Sequence, residues 1–105
     1  MKKKDLSLDQ TVKLAETFGL MADKTRLSII IICMRQEIAV GEIAAMLGCS
    51  TSLTSHHLRH LRVAGILKAR RCGKQIFYSL AEARLNEVLS MTIERKRIQL
   101  QDYKV

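Results

Sequence analysis

Three histidines lie within five consecutive positions, at His56, His57 and His60. On a helix, His56 and His60 would be one turn apart, which is a suitable spacing for two ligands of a zinc ion. The same imidazoles could instead contact DNA or pack beneath the helix. Metal binding, DNA contact and packing are therefore all open for this cluster.

The histidines belong to a longer stretch in which the charge has a single sign. From Ile43 to Ala81 there is no acidic residue, whereas six Lys or Arg residues occur. This stretch therefore carries +6 of the formal net charge of +8. Such a field attracts a polyanion, and duplex DNA carries one charge per roughly 1.7 Å of its axis. The stretch predicts double-stranded DNA as a partner, although a solvated basic face or a protein-binding module is the alternative.

The composition limits the other classes of function. At 105 residues and 48% apolar residues, the chain predicts one globular domain over 1–105. The four aromatic residues are too few for base stacking on single strands or RNA. No nucleophile–base–acid set, phosphate loop or carboxylate pair stands out in the basic stretch, so we expect no enzyme.

Neither a membrane segment nor a secretory leader is expected. The longest apolar run, Ile29 to Met34, has six residues, far fewer than the roughly 20 that span a bilayer. The basic start at residues 2–4 is followed by Asp5 and Asp9 rather than by an apolar segment. Three widely spaced cysteines form neither a disulfide framework nor a CxxC pair. These features favour a cytoplasmic protein.

Capping residues and apolar periodicity predict five helices and two strands. Capping boxes open the first and last helices, at Ser7–Gln10 and Ser79–Glu82, and a helix is preferred over a strand for Ile29–Ile32. The expected helices are 8–20, 24–36, 40–47, 51–63 and 81–98, and the expected strands are 66–70 and 75–79. The fold class is therefore mainly α with a small β-hairpin wing, in the order of four helices, two strands and one helix. Residues 1–7 would form a basic arm and 99–105 a tail.

The third and fourth helices, separated at Gly48–Cys49, form a helix-turn-helix, and the strands after them form its wing. The outward positions of the fourth helix carry short hydrogen-bonding groups near its start and cations further along. A recognition helix reads base edges mainly with its N-terminal residues. These outward residues are Thr51, Ser52, Ser55, His56, Arg59 and Arg62.

Two motifs in combination resemble the ArsR/SmtB family of small dimeric winged helix-turn-helix repressors. The first is S-H-H-L-R-H-L-R-V-A-G-I at 55–66, and the second is G-K-Q-I-F-Y-S-L at 73–80. The similarity extends over roughly residues 10–98 and includes D-K-T-R-L at 23–27.

The resemblance implies a homodimer that is joined through the first and last helices. It also implies that the dimer binds an inverted-repeat operator and represses transcription until a signal relieves it. The family's base-reading positions fall on Thr51, Ser52, Ser55 and His56. Phosphate and wing contacts are expected from Arg59, Arg62, Arg70, Arg71, Lys74 and Gln75. An activator or anti-silencer of the same fold is the alternative.

The family's metal sites do not match this sequence. The segment 37–42 lacks the cysteine pair that metal sensors of the family carry. The other metal positions read Glu82, Arg84, Arg95 and Ile98, of which only Glu82 could be a ligand. The family also uses the histidine segment for DNA contact and packing, and His57 is expected to be half-buried. We therefore expect no metal and no cofactor, and the inducer is not readable.

The three cysteines are relevant, because oxidation of a thiol could act as the signal that relieves repression. Cys33, on the second helix, is expected to be a small buried apolar residue, although redox-sensing relatives carry a switch cysteine nearby. Cys49 lies between the DNA-binding helices, and Cys72 lies in the wing turn beside Arg70, Arg71 and Lys74. Because nearby cations lower a thiol pKa, oxidation of Cys49 or Cys72 is a hypothesis for weakening DNA binding.

Overall fold

The computed structural model describes residues 5–103, and the side chains of residues 5–95. The cations of the basic arm at 2–4 and the side chain of Ile98 lie outside the described part. The elements are α1 (Leu8–Met21), α2 (Lys24–Arg35), β1 (Ile38–Ala39), α3 (Val40–Leu47), α4 (Thr51–Val63), β2 (Leu67–Cys72), β3 (Gln75–Leu80) and α5 (Ala83–Tyr103).

Local capping chemistry explains where most helices begin. Ser7 and Gln10 form the predicted capping box at α1, and Asp23 accepts a hydrogen bond from the Arg26 amide at the start of α2. The Ser50 hydroxyl accepts from the Leu53 amide at the start of α4. Gly48 ends α3 with a φ of 67°, a left-handed conformation that glycine adopts without a Cβ penalty. The predicted bounds of α3 and α4 are confirmed.

The last helix and the sheet differ from the prediction. Ser79 lies in β3 and pairs with Lys68, so the capping box expected at Ser79–Glu82 is wrong. Strand pairing occupies the backbone that this box would have used, and α5 begins at Ala83 instead of 81. It continues to Tyr103, past the predicted end at residue 98. The hairpin strands are also longer, because pairing extends from Leu67–Leu80 to Cys72–Gln75.

The hairpin is part of a three-stranded antiparallel sheet in the order β1-β3-β2. The sequence analysis missed β1, which has only two residues and pairs Ile38 with Tyr78 and Ala39 with Phe77. Gly73 makes the turn of the hairpin with a φ of 65°. The wing is therefore anchored by β1 to the connection between α2 and α3.

The core lies where α2, α3, α4 and the sheet meet. Ile29 and Ile30 of α2 are fully buried, as are Ile43 of α3 and Leu58 and Leu61 of α4. The strand alternative for Ile29–Ile32 is wrong, because these residues lie within α2. The burial of α2 explains why its sequence is apolar on nearly every side, since a helix packed against other elements needs no polar face.

By contrast, α1 contains no buried residue. Leu8 and Phe18 are 78% and 60% exposed, and Val88 and Met91 of α5 are 57% and 69% exposed. Large apolar side chains on two helices are thus left facing solvent in the single chain. Over residues 5–103, no helix combines the length and apolar character required to cross a bilayer.

Candidate nucleic-acid interface

Hydrogen bonds at the turn fix the position of α4 against α3. The Cys49 amide donates to the Ala44 carbonyl at 3.0 Å, and the buried Thr54 hydroxyl donates to the Ser50 carbonyl at 2.8 Å. Leu58 and Leu61 hold the inner face of α4 in the core. The opposite face of the helix is therefore presented outward by a rigid support.

The residues predicted to read bases lie on the first two turns of α4, with Thr51 and Ser55 on the side toward the wing. Thr51, Ser52 and His56 are exposed, and Ser55 is half-buried. Arg59 and Arg62 are exposed further along the same helix. Hydroxyl and imidazole groups thus precede guanidinium groups along α4.

A cleft of about 260 Å³ brings the start of α4 close to the tip of the wing. Its lining includes Thr51, Ser55, Lys74 and Gln75, together with Gly41 from the first turn of α3. Ala39, the N-cap residue of α3, has no side-chain oxygen to satisfy the first amides of that helix. The sequence analysis missed the contribution of α3 to this cleft, although the lack of a capping side chain at Ala39 can be read from the sequence.

The wing cations are held in different ways. Arg71 and Lys74 are exposed, and Nη1 of Arg71 donates to the Gly73 carbonyl at 3.2 Å. Arg70 instead donates from Nε and Nη2 to the two carboxylate oxygens of Glu37, at 2.8 and 2.9 Å. Its guanidinium carbon also lies 5.2 Å from the centre of the Phe77 ring. Arg70 was grouped with Arg71 and Lys74 in the sequence, but in the structure it has its own carboxylate partner.

The histidine rings on α4 meet edge to face. The ring centres of His56 and His60 are 4.6 Å apart, and those of His56 and His57 are 6.0 Å apart. Within the described ranges, no group of three or more His, Cys, Asp or Glu residues is arranged to hold a metal ion.

His57 lies beneath the helix near the start of α2. It is half-buried, as predicted, and its Nδ1 atom is buried with no hydrogen-bond partner among the described residues. Burial, and then the charge of Arg26, lower the pKa of His57 below its usual value. A neutral imidazole is therefore favoured at this position.

The three cysteines occupy different environments. Cys33 is buried in the core, which confirms its predicted packing role, and burial raises its pKa to about 12. Cys49 is half-buried, with its sulfur 3.8 Å from the Leu47 carbonyl oxygen. Cys72 is exposed at the base of the hairpin turn.

We expect iodoacetamide at pH 8 to modify Cys72 in the folded protein and to leave Cys33 unmodified. With a pKa of about 12, the Cys33 thiolate fraction at this pH is about one in ten thousand, and burial restricts access further. Mass mapping of peptides after timed labelling measures this difference. As the control, all three cysteines should react in denaturant. Equal labelling of Cys33 and Cys72 in the native protein would contradict the expected burial.

Comparison with known protein families matches the part of the chain that contains α2, α3 and α4. The model of the family described as "Bacterial regulatory protein, arsR family" matches residues 23–69, from the cap of α2 into β2. The transcriptional repressor SmtB homolog of Synechocystis is 41% identical over 86 residues, which are 82% of this chain and 63% of that protein. The chain therefore spans less than two thirds of that relative.

Two other relatives are named for different activities. The cadmium resistance regulatory protein CadC homolog of Staphylococcus aureus is 32% identical over 96 residues, covering 90% of this chain and 79% of its own. The transcriptional activator HlyU of Vibrio cholerae is 31% identical over 71 residues, covering 68% of this chain and 66% of its own.

The fold also matches solved structures. The crystal structure of Mycobacterium tuberculosis Rv0081 superposes with a TM-score of 0.80 at 29% identity, covering 95% of this chain and 100% of that one. The match includes the helices outside the 23–69 region. The described arrangement of helices and wing is therefore shared over nearly the whole chain.

Proposed function

Because the chain belongs to the arsR family of bacterial regulatory proteins, we propose that it is a transcriptional repressor that binds an inverted-repeat operator as a homodimer. The observation that carries this proposal is the meeting of the α4 start and the wing tip at one cleft. Hydroxyl groups that suit base edges and cations that suit phosphates are thereby presented on adjoining surfaces.

The proposed roles follow from this geometry. Thr51, Ser52, Ser55 and His56 face the bases, because they occupy the outward part of the first turns of α4. The phosphates are contacted from α4 and the wing by Arg59, Arg62, Arg71, Lys74 and Gln75. Phosphate contacts provide affinity and orientation, whereas the α4 start provides the sequence preference.

The proposed dimer would bury the apolar residues that α1 and α5 expose. A two-fold symmetric partner presents the same patch, so one apolar surface covers its own copy. Leu8, Val12 and Phe18 of α1, and Val88 and Met91 of α5, supply this patch. Two α4 helices related by the two-fold axis would then read two half-sites, about one helical turn of DNA apart or a multiple of it.

The proposal is tested by isolating genomic fragments that the purified protein retains and by placing them before a reporter gene. We expect fragments with an inverted repeat, and lower reporter output when the protein is present. Equal retention of every fragment would contradict sequence-specific binding. The similarity to the activator HlyU favours a second candidate, an activator or anti-silencer, for which reporter output would rise.

The signal that would relieve repression could be modification of a cysteine. Exposure of Cys72 supports the hypothesis that thiol modification in the wing weakens DNA binding. Cys49 is less exposed, and the buried Cys33 is the least suited of the three to react. Replacing Cys49 and Cys72 together by serine should abolish any effect of peroxide on binding if this hypothesis is correct.

Replacing Ser55 by alanine should weaken binding to the operator by about 1–3 kcal/mol and bring it closer to the affinity for unrelated DNA. The expected reason is the loss of a base contact in each half-site, while the phosphate contacts remain. Fluorescence anisotropy with operator and scrambled duplexes measures both affinities. Ser28→Ala, a serine replacement on α2, is the matched control and should leave the ratio unchanged. A parallel loss on both duplexes would place Ser55 at the backbone instead.

A further inference from the structure

We propose that Glu37 and Arg70 form a positioning pair that sets the angle of the wing, and that Arg70 is thereby withheld from DNA phosphates. The inference rests on the proposed DNA-binding function and refines the roles of the wing residues. It assigns phosphate contact to Arg71 and Lys74 and a different role to Arg70. It also gives a function to Glu37, which lies outside the basic stretch.

The pair connects the two outer edges of the sheet across its middle strand. Glu37 directly precedes β1, and Arg70 of β2 is paired with Phe77 of β3. Phe77 is also the partner of Ala39 in β1. The guanidinium passes over the Phe77 ring to reach the carboxylate, so a single side chain joins β2, β3 and the residue that precedes β1.

The geometry of the pair resembles the way in which arginine holds a phosphate. Nε and Nη2 bind both carboxylate oxygens in a fork, at 2.8 and 2.9 Å. Glu37 thus occupies the side-on pair of donors, Nε and Nη2, which a bidentate phosphate contact can also use. If Arg70 left Glu37 for DNA, an unpaired carboxylate would remain close to the phosphates, which like-charge repulsion disfavours.

The alternation of side chains along a strand separates Arg70 from its neighbour. Successive residues of β2 point to opposite faces of the sheet, so Arg70 and Arg71 cannot lie on the same face. Arg70 lies on the face of the sheet on which its side chain bonds to Glu37. Arg71 instead donates a hydrogen bond to the carbonyl of Gly73 in the turn. Among the residues whose side chains the structure describes, Arg70 therefore has a carboxylate partner and Arg71 has none.

The position of the pair makes it sensitive to the angle of the hairpin. β2 ends two residues beyond Arg70 and the chain turns at Gly73–Lys74, so Lys74 lies about 7–10 Å from Arg70 along the hairpin. A tilt of about 10° at the pair would move Lys74 by about 1–2 Å over this length. Such a shift is enough to break the hydrogen bond from Lys74 to a phosphate, because a charge-assisted hydrogen bond needs a heavy-atom distance of about 2.8 Å. The charge of Lys74 stays close enough to neutralise the phosphate, so the affinity falls while the salt slope is kept.

The test is the salt dependence of binding to a retained operator fragment, measured by anisotropy for the full chain and its variants. Arg71→Gln serves as the comparison and should lower the slope of log K against log salt by about 2, one contact in each half-site. Arg70→Gln and Glu37→Gln should each weaken binding by about tenfold while the slope stays within about half a unit of the parent's. The double variant should bind no more weakly than either single variant, because both changes remove the same pair.

A charge reversal separates positioning from a general loss of charge. Arg70→Glu alone should bind poorly, and the combined Glu37→Arg, Arg70→Glu variant should recover most of the lost affinity by restoring the pair. Circular dichroism should show the parent's helix content in every variant, since both side chains are largely at the surface. Glu82→Gln, which removes an exposed carboxylate elsewhere, should bind as the parent does.

Three results would overturn the positioning pair. The first is a salt slope for Arg70→Gln as low as that for Arg71→Gln. The second is tighter DNA binding with a steeper salt slope for Glu37→Gln. The third is no recovery of DNA affinity in the combined Glu37→Arg, Arg70→Glu variant. If the parent protein shows no salt-dependent binding to any fragment, the proposed function fails, and the inference fails with it. A parent that binds normally, with variants that break the pattern, rejects the pair alone.

Discussion

Replacing Phe18 with glutamate is expected to convert the dimer into monomers and to weaken operator binding by at least about a hundredfold. Phe18 is 60% exposed on α1, a helix that buries no residue of its own within the chain. In the dimer its ring would be covered, so the replacement would place a charge from each subunit in an apolar contact. An unpaired charge in such a place costs several kcal/mol.

The large effect on DNA follows from the loss of simultaneous binding to two half-sites. When two copies are joined, the second half-site is bound at a high effective concentration, which raises affinity by about 10² to 10⁴. Monomers keep the α4 contacts but lose this gain. Their salt slope should fall to about half of the parent's, because half as many phosphates are contacted at once.

Light scattering after size-exclusion chromatography measures the mass, and anisotropy measures the affinity. Met46→Glu is the matched control for the mass, because Met46 is 63% exposed, slightly more than Phe18, but lies on α3. We expect the control to remain a dimer. A Phe18→Glu protein that also remains a dimer would show that α1 is not the interface.

The parts of the fold that depend on local chemistry could be read from the sequence. Ser7, Asp23 and Ser50 each bond an amide within the next three residues, so their signal lies within a few positions of the helix start. Gly48 supplies the corresponding stop for α3. The bounds of α4 were correct for this reason, and its outward residues followed from its period.

The parts that depend on long-range pairing could not be read in this way. At Ser79 a local capping signal was present, but pairing with Lys68 placed the residue in a strand. Likewise, β1 is only two residues long and becomes a strand through its pairing with β3. The partner of Arg70 is 33 residues away in the sequence. Alternation alone predicts that Arg70 and Arg71 differ, but not which of them meets a carboxylate.

Replacing Leu58 with alanine is expected to lower the free energy of unfolding by about 2–5 kcal/mol. Leu58 is fully buried and packs in the cluster that includes Ile30, Ile43 and Tyr78. The change removes apolar contacts and leaves a cavity between α4 and the elements beneath it. Because a domain of this kind is stable by only about 5–15 kcal/mol, the loss is a large fraction of the total.

Leu53→Ala on the same helix separates burial from helix propensity, because Leu53 is 46% exposed and undergoes the same chemical change. Leu53→Ala should lower the free energy of unfolding by no more than about 1 kcal/mol. Urea unfolding followed by circular dichroism measures both variants, at one fixed protein concentration because the stability of a dimer depends on it. Below the unfolding transition, Leu58→Ala should keep the parent's salt slope on DNA, since the outward face of α4 is unchanged. Equal destabilisation by the two replacements would mean that α4 is not held by its inner face, and the orientation of Thr51, Ser55 and His56 would then lack its physical basis.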